Sequence, residues 1–199
     1  MSNVELIFCS GNSHKASEMQ LLMPPWLQVK SMREVGVVEE IIEDGLTFTE
    51  NALIKARYVA RKTGLSVFSD DSGLVVDALN GGPGIFSARF AGENASSAAN
   101  VQKLLKELND ETNRKAHFIC VIVLIYKGKE VVFEGRVDGV IAQAVAGAGG
   151  FGYDPVFIPD GNHLTFAELD AAVKNKISHR AQAVKKMIDW LVLARVEKA

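Results

Sequence analysis

The chain has 199 residues, of which 48% are hydrophobic and 23% charged, and a formal net charge of −2. These values describe an ordinary soluble globular protein with one substantial core, or a core with a small lobe. They argue against a broad nucleic-acid-binding surface, while leaving room for a local basic pocket that takes a phosphorylated small molecule. The two cysteines, Cys9 and Cys120, lie in apolar strand-like runs and read as buried reduced thiols. No Cys/His spacing resembles a zinc site. Glu5 interrupts a very short apolar run, so no signal peptide is expected. The longest apolar run, Phe118 to Tyr126, is too short to span a membrane. A cytoplasmic protein is the expectation.

In chain order, Val4 to Cys9 reads as a buried strand. Ser10-Gly11-Asn12-Ser13-His14-Lys15 breaks it, and Ala16, Met19, Leu22 and Met23 then recur at helical spacing up to Pro24-Pro25. In a strand, small polar loop and helix, backbone N–H groups and the positive helix end converge on an anion. Lys15 in the first turn opposes the helix dipole, which a bound phosphate would explain; an exposed lysine is the alternative. Residues 27–38 give a second, weaker strand. An acidic run, Glu39 to Asp44, closes at Gly45. Thr47-Phe48-Thr49-Glu50 fits a capping box, and the helix it opens ends near Gly64. Asn51 and Lys55 lie one turn apart on one side of that helix.

At Val67 to Val76 an apolar run meets Asp70 and Asp71, and Ser72-Gly73 then reads as a turn into a second apolar run. Asp is a poor strand former and adjacent carboxylates repel. A Mg²⁺ ion would remove that conflict; an Asp-rich surface turn is the competing reading. Asn80 to Gly84 is a turn cluster, and Asn94 is placed as the cap of a helix through about Leu108. His117–Tyr126, the turn Lys127-Gly128-Lys129 and Glu130–Ile141 predict an antiparallel hairpin. Gly147 to Pro155 is the most glycine-dense segment, where backbone either moves or lets a ligand approach closely. A short helical piece is expected at Thr165–Leu169, and a last helix from about Ser178, with His179 and Arg180 at its positive end. Alternating strands and helices with one hairpin predict an α/β fold on a mixed sheet.

Taken together, these pieces resemble the inosine triphosphate pyrophosphatase family, which includes the bacterial dITP/XTP pyrophosphatases. The matching motifs are Ser10-Gly11-Asn12-x-x-Lys15-x-x-Glu18, Glu43-Asp44-Gly45-x-Thr47-Phe48-x-Glu50-Asn51-Ala52 with Lys55, and Asp70-Asp71-Ser72-Gly73-Leu74. They continue with Ser87-Ala88-Arg89, Gly149 to Pro155, and Lys174 with Ser178-His179-Arg180. Their order runs from residue 10 to residue 180. Ser10, Ser69 and Phe90 depart from commoner residues without touching a charged position.

The resemblance implies hydrolysis of non-standard purine nucleoside triphosphates (ITP, dITP, XTP) to monophosphate and pyrophosphate, with Mg²⁺. It implies a single domain over 1–199, an elongated mixed sheet flanked by helices, two lobes with a nucleotide cleft between them, and a homodimer. It implies that Ser10, Gly11, Asn12, Ser13, His14 and Lys15 bind phosphate. Glu43 and Asp71 hold the metal, and Asp71 accepts the proton. Ser72, Phe151, Gly152, Tyr153, Asp154, Lys174, His179 and Arg180 contact substrate. Lys55 adds positive charge for the triphosphate. Arg180 is donor-only, as is protonated His179, so both suit a 6-carbonyl rather than the 6-amine of adenine. Neither nucleic acid nor membrane is expected as a partner. The competing functions are a Mg²⁺ phosphohydrolase that removes only the terminal phosphate, and a nucleotide-binding regulator without turnover.

Overall fold

A computed structural model describes residues 3–196. Residues 1–2 and 197–199 of the expected single-domain span lie outside the described residues. The strands are β1 (Val4–Phe8), β2 (Leu27–Ser31), β3 (Val67–Val76), β4 (Lys115–Tyr126), β5 (Lys129–Ile141) and β6 (Phe157–Pro159). The α-helices are α1 (Ser13–Leu22), α2 (Phe48–Thr63), α3 (Ser97–Glu107), α4 (Ala171–Ile177) and α5 (His179–Val196). The sheet order is β2-β1-β3-β4-β5-β6. β1 runs parallel to β2 and β3, and β5 antiparallel to β6, so the sheet is mixed, as the alternating pattern predicts.

The chain falls into two compact units. The first holds residues up to Asp71, Cys120–Gly135 and the chain from Arg180; the second holds Ser72–Ile119 and Arg136–His179. In the first unit β1 is buried on both faces, the pattern of a strand sandwiched between helices. Leu6 and Phe8 join Phe68 and Met187 and Leu191 of α5, whereas Ile7 and Cys9 join Val67 and Ala52, Ala56 and Val59 of α2. Alternate residues of β3 therefore face different helices: Phe68 faces α5, Val67 faces α2. The second unit has its own core, in which Leu74 and Val76 pack with Val101 and Leu104 of α3 and with Phe118, Phe157 and Phe166.

Most predicted elements are present. α2 starts at the predicted capping box, with Thr47 and Glu50 each bonded to the other's backbone, and stops at Gly64 in the left-handed region. The hairpin turn puts both Lys127 and Gly128 at positive φ, the geometry of a two-residue turn that matches strand twist. Four expectations are corrected. The Ser72-Gly73 turn does not exist: β3 runs straight through Asp70, Asp71, Ser72 and Gly73. Partners on the neighbouring helices, described below, offset the burial of the two carboxylates, so no turn to solvent is needed. Residues 27–38 are not one strand; Ser31 caps a 3₁₀ turn at Met32–Val35 through a reciprocal bond with Glu34. Ser96, not Asn94, caps α3, and Asn94 takes a left-handed turn conformation at φ 60°. Thr165–Leu169 is a single closed turn held by the Glu168 side chain on Thr165, and the helix comes after it as α4.

Candidate active site

Position on β3 sorts the two adjacent carboxylates. Side chains alternate along a strand, so Asp70 shares the Phe68 face and Asp71 shares the face of Val67 and Ser69. Ser69 donates to the Ala52 carbonyl at 2.6 Å and ties this second face to α2.

Asp70 is fully buried. Its Oδ2 lies 3.1 Å from Lys15 Nζ, at the start of α1, and 3.5 Å from Arg180 Nη2, at the start of α5. Arg180 Nη1 also pairs with Glu18 of α1. Burial pushes the Asp70 carboxyl up, but the positive charges of Lys15 and Arg180 outweigh it and hold the group below the usual carboxylate range. Asp70 is thus the counter-ion of two cations. Lys15 sits beyond a loop in which Asn12 caps α1 by accepting the Lys15 N–H at 3.1 Å, and Ser10 Oγ accepts the Asn12 N–H at 3.2 Å. Gly11, Asn12, Ser13 and His14 are exposed, and the first turn of α1 carries no acidic residue. The exposed N–H end of a helix beside a lysine suits an anion.

On the other face, Asp71 Oδ2 accepts a hydrogen bond of 3.1 Å from Asn51 Nδ2. Burial raises the Asp71 carboxyl; Lys55, Lys15 and the Asn51 bond pull it down and Glu43 pushes it up, and the net shift is upward. Lys55 is buried. Its Nζ meets Glu43 Oε2 at 2.5 Å. Burial disfavours the Lys55 ammonium, yet Glu43, Asp71 and Asp70 outweigh it and hold the lysine protonated. Glu43 and Asp71 both offer hard carboxylate oxygens. Mg²⁺ commonly takes one or two carboxylates and completes its shell with water and substrate phosphate, so this donor set fits it.

The second unit assembles a different cluster. Asp154, 3% exposed, accepts the Phe151 N–H and the Lys174 ammonium, both at 2.7 Å, on one oxygen. Gly150 and Gly152 take φ of +70° and +61°, which other residues rarely adopt. Lys174 Nζ stands 5.4 Å from the centre of the Phe151 ring, within range of a cation–π contact. Tyr153 is buried, and its hydroxyl donates to the Ser87 carbonyl at 2.9 Å. The His179 ring stacks on Phe118 at 4.7 Å and 8°. Ser72 follows Asp71 on β3 and is half-buried.

Of the residues singled out from the sequence, the first unit therefore holds Ser10 to Lys15, Glu43, Lys55, Asp71 and Arg180. The second holds Ser72, Phe151 to Asp154, Lys174 and His179. Glu18 and Asn51 complete the first cluster, though the sequence reading gave them no site role, and Asp70, which that reading set with Asp71 on a Mg²⁺ ion, is paired with Lys15 and Arg180. The period-2 rule would have separated Asp70 from Asp71 had the segment been read as a strand.

The chain matches the Ham1 family over residues 6–190. It is 45% identical over 192 residues to the dITP/XTP pyrophosphatase of Porphyromonas gingivalis, covering 96% of this chain and 99% of that one. It is 47% identical over 193 residues to the dITP/XTP pyrophosphatase of Photorhabdus laumondii, covering 94% and 98%. Among solved structures, a HAM1 protein from Coxiella burnetii superposes with a TM-score of 0.88 at 42% identity, covering 95% of this chain and 98% of that one. The Ham1 protein of Staphylococcus aureus gives 0.86 at 40% identity, covering 94% and 97%. With the fold, the ordered motifs and near-complete coverage in agreement, the chain belongs to the Ham1 family.

Proposed function

We propose that this protein hydrolyses non-standard purine nucleoside triphosphates, ITP, dITP and XTP, to the monophosphate and pyrophosphate, with Mg²⁺. The observation that carries the reading is the opposite treatment of two neighbouring carboxylates. Asp70 is locked ionised between Lys15 and Arg180, while Asp71 is pushed toward higher pKa. Environments that drive paired groups apart assign them separate roles. Asp71 is the proton acceptor, and its raised pKa makes it a better base than an ordinary carboxylate. Asp70 holds the lysine that faces the phosphate loop.

The N–H groups at the start of α1, with Lys15, bind phosphate oxygens. Lys55 keeps its charge and balances the carboxylates around it. Glu43 and Asp71 would hold the ion, which when bound neutralises triphosphate charge and polarises phosphorus. Asp71 orients the attacking water and takes its proton. In the second unit, Phe151 offers a face for the purine, and Lys174 with Asp154 fixes the loop that presents it. His179, held flat by Phe118, supplies a donor to the base. Ser72 and Tyr153 complete this region, with Tyr153 acting through its bond to the Ser87 carbonyl.

Homodimer formation and a cytoplasmic location belong to the same reading, as do the absence of nucleic-acid and membrane partners. Sedimentation at micromolar concentration checks the first. Among the described residues no helix is long and apolar enough to cross a membrane.

The test is a panel of nucleoside triphosphates with Mg²⁺, scored separately for monophosphate, pyrophosphate and orthophosphate. ITP, dITP and XTP should give monophosphate and pyrophosphate. Orthophosphate with a diphosphate product would make the protein a terminal phosphatase, and binding without any product would make it a regulator.

A further inference from the structure

Asn51 is 2% exposed and makes two bonds of opposite polarity. Its Oδ1 accepts the Gly45 N–H at 2.9 Å, and its Nδ2 donates to Asp71 Oδ2 at 3.1 Å. The amide orientation is not arbitrary. The Gly45 N–H requires an acceptor, so the oxygen must face Gly45 and the NH₂ must face Asp71. The packing admits no slack: a Cβ at Gly45 would lie 2.7 Å from Asn51 Oδ1 and 2.7 Å from Glu50 Cβ. One turn along α2, Lys55 grips Glu43 from the same loop. Two buried polar positions one turn apart on α2 thus seize the Glu43–Gly45 segment, and one of them also seizes Asp71.

A buried Asn bridging two backbone or side-chain groups usually serves the fold alone. Two features point further here. The bridge joins the segment carrying Glu43 to Asp71, which lie far apart in sequence and are both assigned to the reaction. The Asn51 NH₂ is donor-only, so it fixes Asp71 Oδ2 as a hydrogen-bond acceptor. We propose that Asn51 is a positioning residue for hydrolysis, fixing the Asp71 carboxylate against the Glu43 loop so that the two acidic groups are held as one unit. The proposal rests on the assignment of Asp71 as proton acceptor.

A double-mutant cycle on ITP hydrolysis, read as kcat and KM for pyrophosphate release at saturating Mg²⁺, tests it. Asn51→Leu should lower kcat by about 10- to 100-fold, as removal of an outer-shell hydrogen bond typically does, with KM changed less than about threefold. In an Asp71→Asn background, where the acceptor carboxylate is already gone, Asn51→Leu should cost less than about twofold more, because residues acting as one unit are not additive. Losses that multiply, a loss confined to KM, or an unchanged kcat in Asn51→Leu would overturn the positioning role. If Asn51→Leu does not fold, Asn51→Asp takes its place in the same cycle: it keeps the acceptor for the Gly45 N–H, removes the donor and sets a like charge against Asp71, a repulsion that the Asp71→Asn background relieves, so its loss should again shrink there. An Asp71→Asn variant with full kcat would instead overturn the assignment of Asp71, and the proposal with it.

Discussion

Asp70 and Asp71 stand one position apart on β3 and face different helices, and their titration follows from that. The folded pKa of Asp70 is depressed, so its stabilising contribution is complete above the unfolded value of about 4 and is lost as pH falls below it. Asp71 has the opposite sign: its raised folded pKa makes the ionised group a cost at neutral pH, and the cost vanishes as pH falls. Asp71→Asn should therefore lose turnover on ITP by on the order of 10²-fold or more while raising Tm at pH 7. Asp70→Asn should lower Tm at pH 7, because it takes from the partly buried Lys15 and the buried Arg180 the carboxylate they share. Removing one partner of a buried pair costs on the order of 3–5 kcal/mol. Thermal unfolding of both variants at pH 7 and again below pH 4 checks the signs, since the Asp70→Asn deficit should shrink in acid. Variants that shift Tm equally would contradict the sorting. The sequence showed that two carboxylates were in conflict, but not their sorting, because reading Ser72-Gly73 as a turn removed the alternation that separates them.

At the scale of elements, legibility tracks local chemistry. The capping box of α2, its Gly64 stop and the Lys127-Gly128 hairpin rest on neighbours in sequence, and they stand where local rules put them. α4 was not foreseen, since its seven residues are too few to show an apolar period, and its buried Lys174 is there for a distant partner, Asp154. The glycine-dense loop was legible as a place of unusual backbone, while the reason lies in one contact. A Cβ on Gly150, already at φ +70°, would fall 2.1 Å from Asp154 Oδ2, the oxygen that holds both Phe151 and Lys174. Gly152 is also at positive φ, but a Cβ there meets nothing within 4 Å. Gly150→Ala should thus cost more than backbone strain alone, which is roughly 1–3 kcal/mol, or about 2–4 °C of Tm per kcal/mol. It should also reduce kcat/KM on ITP by at least about tenfold, because Phe151 loses its anchor. Gly152→Ala should show only the strain. Equal effects of the two substitutions, measured by thermal unfolding and ITP turnover, would mean that the Asp154 anchor does not matter.

For the molecule as a whole, a net charge of −2 leaves room for a local basic pocket, but the cations of the first cluster do not stand alone. Lys15, Lys55 and Arg180 face Glu18, Glu43, Asp70 and Asp71, one negative charge in excess. A divalent cation held there would reverse that balance, which is the electrostatic ground for the proposal that the triphosphate is taken with Mg²⁺. Arg180 has a double position in this arrangement. Its carboxylate partners fix the guanidinium, and a fixed planar donor loses little entropy when it meets a carbonyl. We therefore expect Arg180→Ala to lower kcat/KM on ITP more than on ATP. The lost donor to the 6-carbonyl is worth roughly 1–3 kcal/mol, or about 5- to 150-fold in the ratio of the two constants. The same substitution should lower Tm, because the buried Asp70 loses the Arg180 guanidinium. The measurement is the ITP-to-ATP ratio of kcat/KM in the parent chain and the variant, beside their unfolding curves. A lowered Tm with an unchanged ratio would assign Arg180 to Asp70 alone, leaving His179 as the donor that distinguishes the bases.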